Sequence, residues 1–315
     1  MRASRLLPTL ALFVALDAAA QSKPAITPAD YGRWESLGQA SLSPNGRWMA
    51  YALNRVSEDN ELRVRPMDRD TAFVVPNGAG AVFGAGSRWV AYRIGVSPAT
   101  RERLEQEKKP VRTALGLREL ATSRMDSIAD VATFQFSADG RFIALRRYPA
   151  EGKRVAEVIV QNLANGARMT FGSVGEFSWA DRRPILALTI ETDGGAGNAV
   201  QVYDAASQVV RVLDSSPSRY RGLAWREKAE DLAVLRTLVD SGFRDTAHVV
   251  LAWSGAMAAR AARRELDPVR APGFPSGQRV SESRTPDWSG DGSMLFIGLR
   301  PREAATASGG GGREG

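Results

Sequence analysis

The sequence predicts an all-β protein, a β-propeller of four-stranded antiparallel blades with about five complete blades and a partial sixth, unclosed or truncated. Three observations carry this expectation. A hairpin motif recurs along the chain, a second two-strand module follows each of the first five hairpins, and the hairpins recur at about 40 to 50 residues, the length of one blade.

Arg2 and Arg5 precede an apolar run from Leu6 to Leu16 and the small residues Ala18, Ala19 and Ala20. That order is the layout of a cleavable signal peptide over residues 1–20, cut near Ala20 and sending the mature chain to the periplasm or out of the cell. The run is too short to span a bilayer, which takes ~20 apolar residues, and no later segment approaches that length. The propeller is expected over residues 21–300 and a flexible Gly-rich tail over 301–315.

The hairpin motif is clearest at Phe136 to Leu145, FSADGRFIAL. An apolar strand end leads into a polar Asp-Gly turn, and the Gly supplies the positive φ that a tight turn requires. Leu42 to Tyr51 (LSPNGRWMAY) and Trp288 to Leu299 (WSGDGSMLFIGL) repeat it closely, and Phe83 to Tyr92 (FGAGSRWVAY) keeps the Gly and the strand. Phe177 to Leu188 and Leu223 to Leu235 keep only the strands and a polar turn. With Ala50, Ala91, Ala144, Ala187, Ala233 and Phe296 as marks, the steps are 41, 53, 43, 46 and 63 residues. The second modules are Leu62 to Val75, Leu115 to Ile128, Val158 to Phe171, Val200 to Leu213, and a fifth opening at His248 to Trp253. Repeats are therefore placed near 42–75, 83–128, 136–171, 177–213, 223–255 and 288–299.

Two steps are long for visible reasons. Residues 97–110 (SPATRERLEQEKKP) form a helical insertion with Ser97 as N-cap, Pro98 in the first turn and Pro110 as the stop. Leu104 is its only large apolar residue, which marks a solvated flap. The last step holds Ala256 to Arg284, read as blade closure plus a loop. Trp48, Trp89, Phe142, Trp179 and Trp225 stand in register with the repeat and are expected to pack between blades rather than to form a ligand platform.

Composition and motifs exclude several functions. The formal charge of +7 comes almost entirely from scattered Arg, without the basic stripe and interleaved aromatics of a nucleic-acid surface. There is no Cys and one His, so neither a disulfide frame nor a zinc site is expected, and no cofactor is called. Asp139-Gly140 and Asp291-Gly292 lie in hairpin turns outside any calcium-loop series, and Gly194-Gly195 and Gly309 to Gly312 lack the context of a phosphate loop. Nucleophilic hydrolysis needs a Ser activated by a His and a carboxylate. His248 lies in the alternating run AHVVLAW and reads as a satisfied structural residue; Gly273-Phe-Pro-Ser-Gly277 places Ser276 one position too late for a nucleophile elbow. No catalytic, cofactor-binding or metal-binding residue is assigned.

Ile26 to Glu35 (ITPADYGRWE), followed by Ser43 to Tyr51 (SPNGRWMAY), resembles the start of the propeller of exported bacterial peptidases of the prolyl oligopeptidase family. The insertion ending Glu107-Lys-Lys-Pro110 before Leu115 to Thr122 (LGLRELAT), and Phe136 to Phe142, are similar to the same group. The resemblance covers roughly residues 26–302. It implies a substrate-gating propeller that admits peptides to an α/β-hydrolase domain carrying a Ser, an Asp and a His. No such domain is expected within this chain, which is read as a fragment that by itself is inactive. Its expected partners are peptide substrates, the missing hydrolase domain or another protein, with no nucleic acid and no membrane span. The other reading is a free-standing exported interaction module similar to the Tol-system propeller.

Overall fold

The computed structural model describes residues 26–31, 34–239 and 242–304. The signal-peptide reading of residues 1–20 and most of the tail lie outside them.

A short helix α1 (Pro28–Tyr31) precedes five four-stranded antiparallel blades, in each of which consecutive strands pair. Blade 1 is β1 (Glu35–Leu42), β2 (Trp48–Arg55), β3 (Glu61–Pro66) and β4 (Phe73–Pro76). Blade 2 is β5 (Gly78–Phe83), β6 (Trp89–Ile94) and, after helix α2 (Pro98–Gln106), β7 (Ala114–Glu119) and β8 (Met125–Ile128). Blade 3 is β9 (Val131–Phe136), β10 (Phe142–Arg147), β11 (Ala156–Asn162) and the first part of β12 (Arg168–Trp179). The second part of β12 opens blade 4, which continues with β13 (Ile185–Ile190), β14 (Ala199–Asp204) and β15 (Val209–Ser215). Blade 5 is β16 (Tyr220–Trp225), β17 (Leu232–Leu238), β18 (Ala247–Ser254) and β19 (Ala262–Leu266).

The partial sixth blade is one interrupted hairpin. β20 (Gln278–Val280) pairs with β23 (Leu299–Pro301), and β21 (Asp287–Trp288) pairs with β22 (Leu295–Phe296). Among the described residues no strand pairing joins this hairpin to blade 1, so the ring is not closed by pairing.

Two boundaries differ from the repeat marks. The first strand of a blade lies upstream of the marked motif, as in Glu35–Leu42, because each motif begins where that strand ends. Within Ala256 to Arg284, Ala262–Leu266 is a regular outer strand of blade 5, carrying that blade beyond residue 255. The inner strands escape a period-two reading because most contain a bulge. Register shifts of one residue fall between Leu37 and Ala40, Ala79 and Val82, Val174 and Phe177, and Arg221 and Ala224. Each holds a glycine, and Gly80 and Gly222 take φ of 62° and 69° there. In the sixth blade the corresponding shift, between Val280 and Asp287, is opened into a loop.

The polar turns are built alike. Ser43 Oγ donates to Asn45 Oδ1 at 2.7 Å and accepts from Trp48 N at 3.0 Å; Ser137 with Asp139 and Phe142, and Ser289 with Asp291 and Met294, repeat the cage. Neighbouring turns also touch, for Asn45 N donates to Ser87 Oγ of blade 2 at 3.0 Å.

Apolar strand faces bury themselves between blades. Trp89 packs with Ile143 and Leu145 across blades 2 and 3, while Phe142 and Trp179 join Leu186 and Leu188 across blades 3 and 4. Trp225 packs at the edge of the cluster joining blades 4 and 5, and Trp48 is half-buried beside Val64 and Val75. Three indoles also bond to the preceding blade: Trp179 Nε1 to Gln135 O at 3.1 Å, Trp225 Nε1 to Ser178 O at 3.0 Å, and Trp288 Nε1 to Ala224 O at 3.1 Å.

Candidate functional site

Charge gathers at the crossovers into blades 4 and 5. Arg221 on inner strand β16 donates through Nη1 to Glu191 Oε1 and through Nη2 to Oε2 at 3.4 Å, and Arg219 Nε stands 3.8 Å from the same carboxylate. Glu191 is buried. Burial opposes the charge on Arg221, but the carboxylate beside it prevails and raises its pKa. Arg146, from β10, donates to the carbonyls of Arg154 and Val174 at 2.9 and 3.4 Å; burial lowers its pKa, with Glu191 and Glu176 acting against that. Glu176 Oε2 accepts from the backbone N–H groups of Gly222 and Leu223 at 2.8 and 3.3 Å, fixing the bulge of blade 5. Three guanidiniums thus face two carboxylates, an arrangement suited to holding or sorting charged groups.

Sequence reasoning did not single out Arg146, Glu176, Glu191 or Arg221. The available signal was a formal charge inside, or directly after, a strand that otherwise reads as apolar, since a desolvated charge needs a partner.

His248 sits on β18, where blade 5 meets the sixth hairpin, and is fully buried. Nδ1 lies 3.2 Å from Val280 O, so it bears the proton, and Nε2 lies 3.6 Å from Glu282 Oε2 without a hydrogen bond. Its reading as a satisfied residue therefore holds for one nitrogen only. Burial lowers its pKa, the Val280 carbonyl and Glu282 opposing this in part. No Ser or Thr hydroxyl hydrogen-bonds its ring among the described residues, and Ser276 is exposed in the loop before β20. Asp139 and Asp291 are occupied by their turns: Ser289 and the backbone and hydroxyl of Ser293 hold the Asp291 carboxyl down at about 2.

A second charged group ties the end of the sixth hairpin to blade 5. Asp245 lies 3.4 Å from Arg279 Nε and 3.3 Å from Arg302 Nε and accepts from Glu303 N at 2.5 Å, while the Arg302 guanidinium rests 3.6 Å from the centre of the Phe243 ring.

No protein family description and no curated protein matches the chain. Solved structures do resemble it. A prolyl endopeptidase is matched at 15% identity over 87% of this chain and 43% of that chain, with a TM-score of 0.46. The β-propeller domain of the Trilobed protease from Pyrococcus furiosus is matched at 10% identity over 86% of this chain and 84% of that one, TM-score 0.43. TolB from Acinetobacter baumannii is matched at 10% identity over 73% and 56%, TM-score 0.34. The likeness is one of fold. The chain spans less than half the length of the prolyl endopeptidase.

Proposed function

We propose that this chain is the noncatalytic, substrate-gating propeller of an exported peptidase of the prolyl oligopeptidase family, acting in the periplasm with an α/β-hydrolase domain that is not among residues 1–315. The order of modules carries the reading: the charged insertion that resembles that family stands as α2 between the second and third strands of blade 2, capped by Ser97 and tied to blade 1 by Arg101–Glu58 at 2.8 Å. Peptides passing the inner strands would meet the Arg146–Glu191–Arg221 group. The DNA immediately downstream tests it. A frame, direct or once shifted, that encodes Gly-x-Ser-x-Gly with a later Asp and His supports the proposal; an intact stop followed by an unrelated gene, with a stable purified monomer, overturns it. The purified chain is expected not to cleave chromogenic peptides.

A second reading, a free-standing exported interaction module, is favoured by one observation. Among the described residues the outer edge of the sixth hairpin has no strand partner, and an apolar groove lies beside it.

A further inference from the structure

Blades 3 and 4 are both complete, and each strand that forms the seam between them is paired. At the turn end of that seam the packing leaves a pocket of about 300 Å³. Phe142, Val160 and Tyr203 floor it, and the turns that follow β11 and β14 flank it. Pockets for small molecules begin at ~300 Å³, so this one has room for a single ring-sized body.

Tyr203 gives the pocket its chemistry. The residue is 4% exposed and its ring meets Phe171 edge to face at 5.2 Å, yet its hydroxyl makes no hydrogen bond among the described residues. Buried phenols ordinarily find a partner. The other buried tyrosines do, for Tyr220 donates to Asp214 Oδ2 at 2.7 Å and Tyr92 to Met125 Sδ at 3.5 Å. Half-buried Tyr148 lies 3.1 Å from the Thr113 hydroxyl. Asp204, next in the chain, does not serve Tyr203: its Oδ1 accepts from Ala206 N and Ser207 N, and its Oδ2 from Arg183. Burial, together with the Asp204 charge, raises the Tyr203 pKa, so the hydroxyl keeps its proton as a donor.

The rest of the polar lining offers donors as well. Asn162 Oδ1 is taken by Ala164 N at 2.9 Å, which leaves Nδ2. Arg168 Nε donates to Gln161 Oε1 at 2.9 Å and Nη2 stands 3.5 Å from Asp126 Oδ2, which leaves Nη1. Gln208 on the rim adds an amide, and no Asp or Glu lines the pocket. Unmet donors, one of them on a cation, above an aromatic and aliphatic floor match an apolar body that carries a carboxylate, whose two oxygens accept several hydrogen bonds at once.

We infer that the pocket between blades 3 and 4 binds a small aromatic monocarboxylate, its ring on the Phe142–Val160–Tyr203 floor and its carboxylate among the Tyr203 hydroxyl, Asn162 and Arg168. Every group that builds the site lies between residues 142 and 208, so the site does not depend on how the sixth blade or the ring is completed. Its volume admits a ring with a short acid but not a folded segment. This inference is independent of the peptidase reading.

Calorimetry on the purified full chain tests it, with 3-phenylpropanoate as the probe and 3-phenylpropanamide as the uncharged control. Saturable binding of the acid with Kd below about 1 mM is expected, at least about tenfold tighter than the amide. Amide exchange in residues 162–169 and 203–208 should slow with it. Tyr203→Phe keeps the ring and should weaken the acid about fivefold, the worth of one hydrogen bond. Arg168→Gln should erase the preference for acid over amide, and Ala167→Trp, on the exposed rim, should abolish binding in a chain with unchanged circular dichroism. Equal binding of acid and amide, or acid binding untouched by both Tyr203→Phe and Ala167→Trp, overturns the inference. A Gly-Gly-Phe peptide with a free carboxylate that binds at least about tenfold tighter than the free acid would assign the pocket to a polypeptide C-terminus and overturn the choice of ligand.

Discussion

Trp225 of blade 5 donates its indole N–H to the carbonyl of Ser178 in blade 4, 3.0 Å away. Trp179 and Trp288 make the equivalent bond at their own seams, so one side-chain type latches three successive blades. Blades 1 to 3 end the same strand with Leu42, Phe83 and Phe136, which have no such donor.

Trp225→Phe keeps an aromatic ring at the seam but removes the indole donor, leaving the Ser178 carbonyl with its ladder partner Ala187. The loss is expected to be about 0.5 to 1.5 kcal/mol, the net worth of one hydrogen bond. Urea unfolding measures it; Phe83→Leu, which breaks no such bond, serves as the comparison. An unchanged midpoint for Trp225→Phe would remove the latch from the account.

Breaking the Glu191–Arg221 pair is expected to cost more. Glu191→Gln leaves Arg221 and Arg146 facing each other without the intervening charge in a buried setting, a change worth about 3 kcal/mol or more. Replacing Arg221 and Glu191 together by Met and Leu should cost less than either single change, a result read from a double-mutant cycle in denaturant.

His248 predicts the pH dependence. Its folded pKa lies below the usual value of about 6.5, so as pH falls through that value the unfolded chain takes up a proton that the folded chain does not. Stability contributed by the neutral imidazole is thus complete above that pH and declines below it, down to the folded pKa. The slope approaches about 1.4 kcal/mol per pH unit for one proton. Glu282, Arg279 and Arg221 are the charges that act on the ring. His248→Leu should flatten the curve of unfolding free energy between pH 7.5 and 5.5, and an unaltered slope would show that other groups set it.

Two turn glycines separate backbone strain from contact. Gly46 and Gly140 have φ of 68° and 66°, but a Cβ at Gly46 meets nothing while one at Gly140 would stand 2.9 Å from Ala85 N in the neighbouring turn. Gly46→Ala should cost about 1 kcal/mol, the left-handed penalty alone, and Gly140→Ala clearly more. Equal midpoint shifts would mean that the turns do not press on one another.

The sequence exposed the turns and outer modules because Ser-x-Asx-Gly cages and regular strands have local signatures. The cage at Ser137, Asp139 and Phe142 is fixed by residues within five positions of one another. The inner strands were hidden by the bulges at Gly38, Gly80, Gly175 and Gly222, which break alternation where the chain passes close to its neighbours. The charged group was hidden because Arg146 on β10, Glu191 just beyond the end of β13 and Arg221 on β16 come from three different blades and meet only through blade packing. Blade crossovers had a partial signal: Asn77, Asp130 and Ser173 all take φ between 54° and 56°, and the first two are types that tolerate it. Each offers its carbonyl to the amide eighteen residues on, at Gly95, Tyr148 and Glu191.

At the third of these crossovers the chain does not leave the sheet. β12 serves blade 3 with its first half and blade 4 with its second, so seven strands share one hydrogen-bonded ladder. Blades 3 and 4 should therefore open to solvent exchange together and resist pulling as one body, while blades 1, 2 and 5 can part from their neighbours singly. Any opening between blades would then fall at the flanking seams, and limited proteolysis would cut there first.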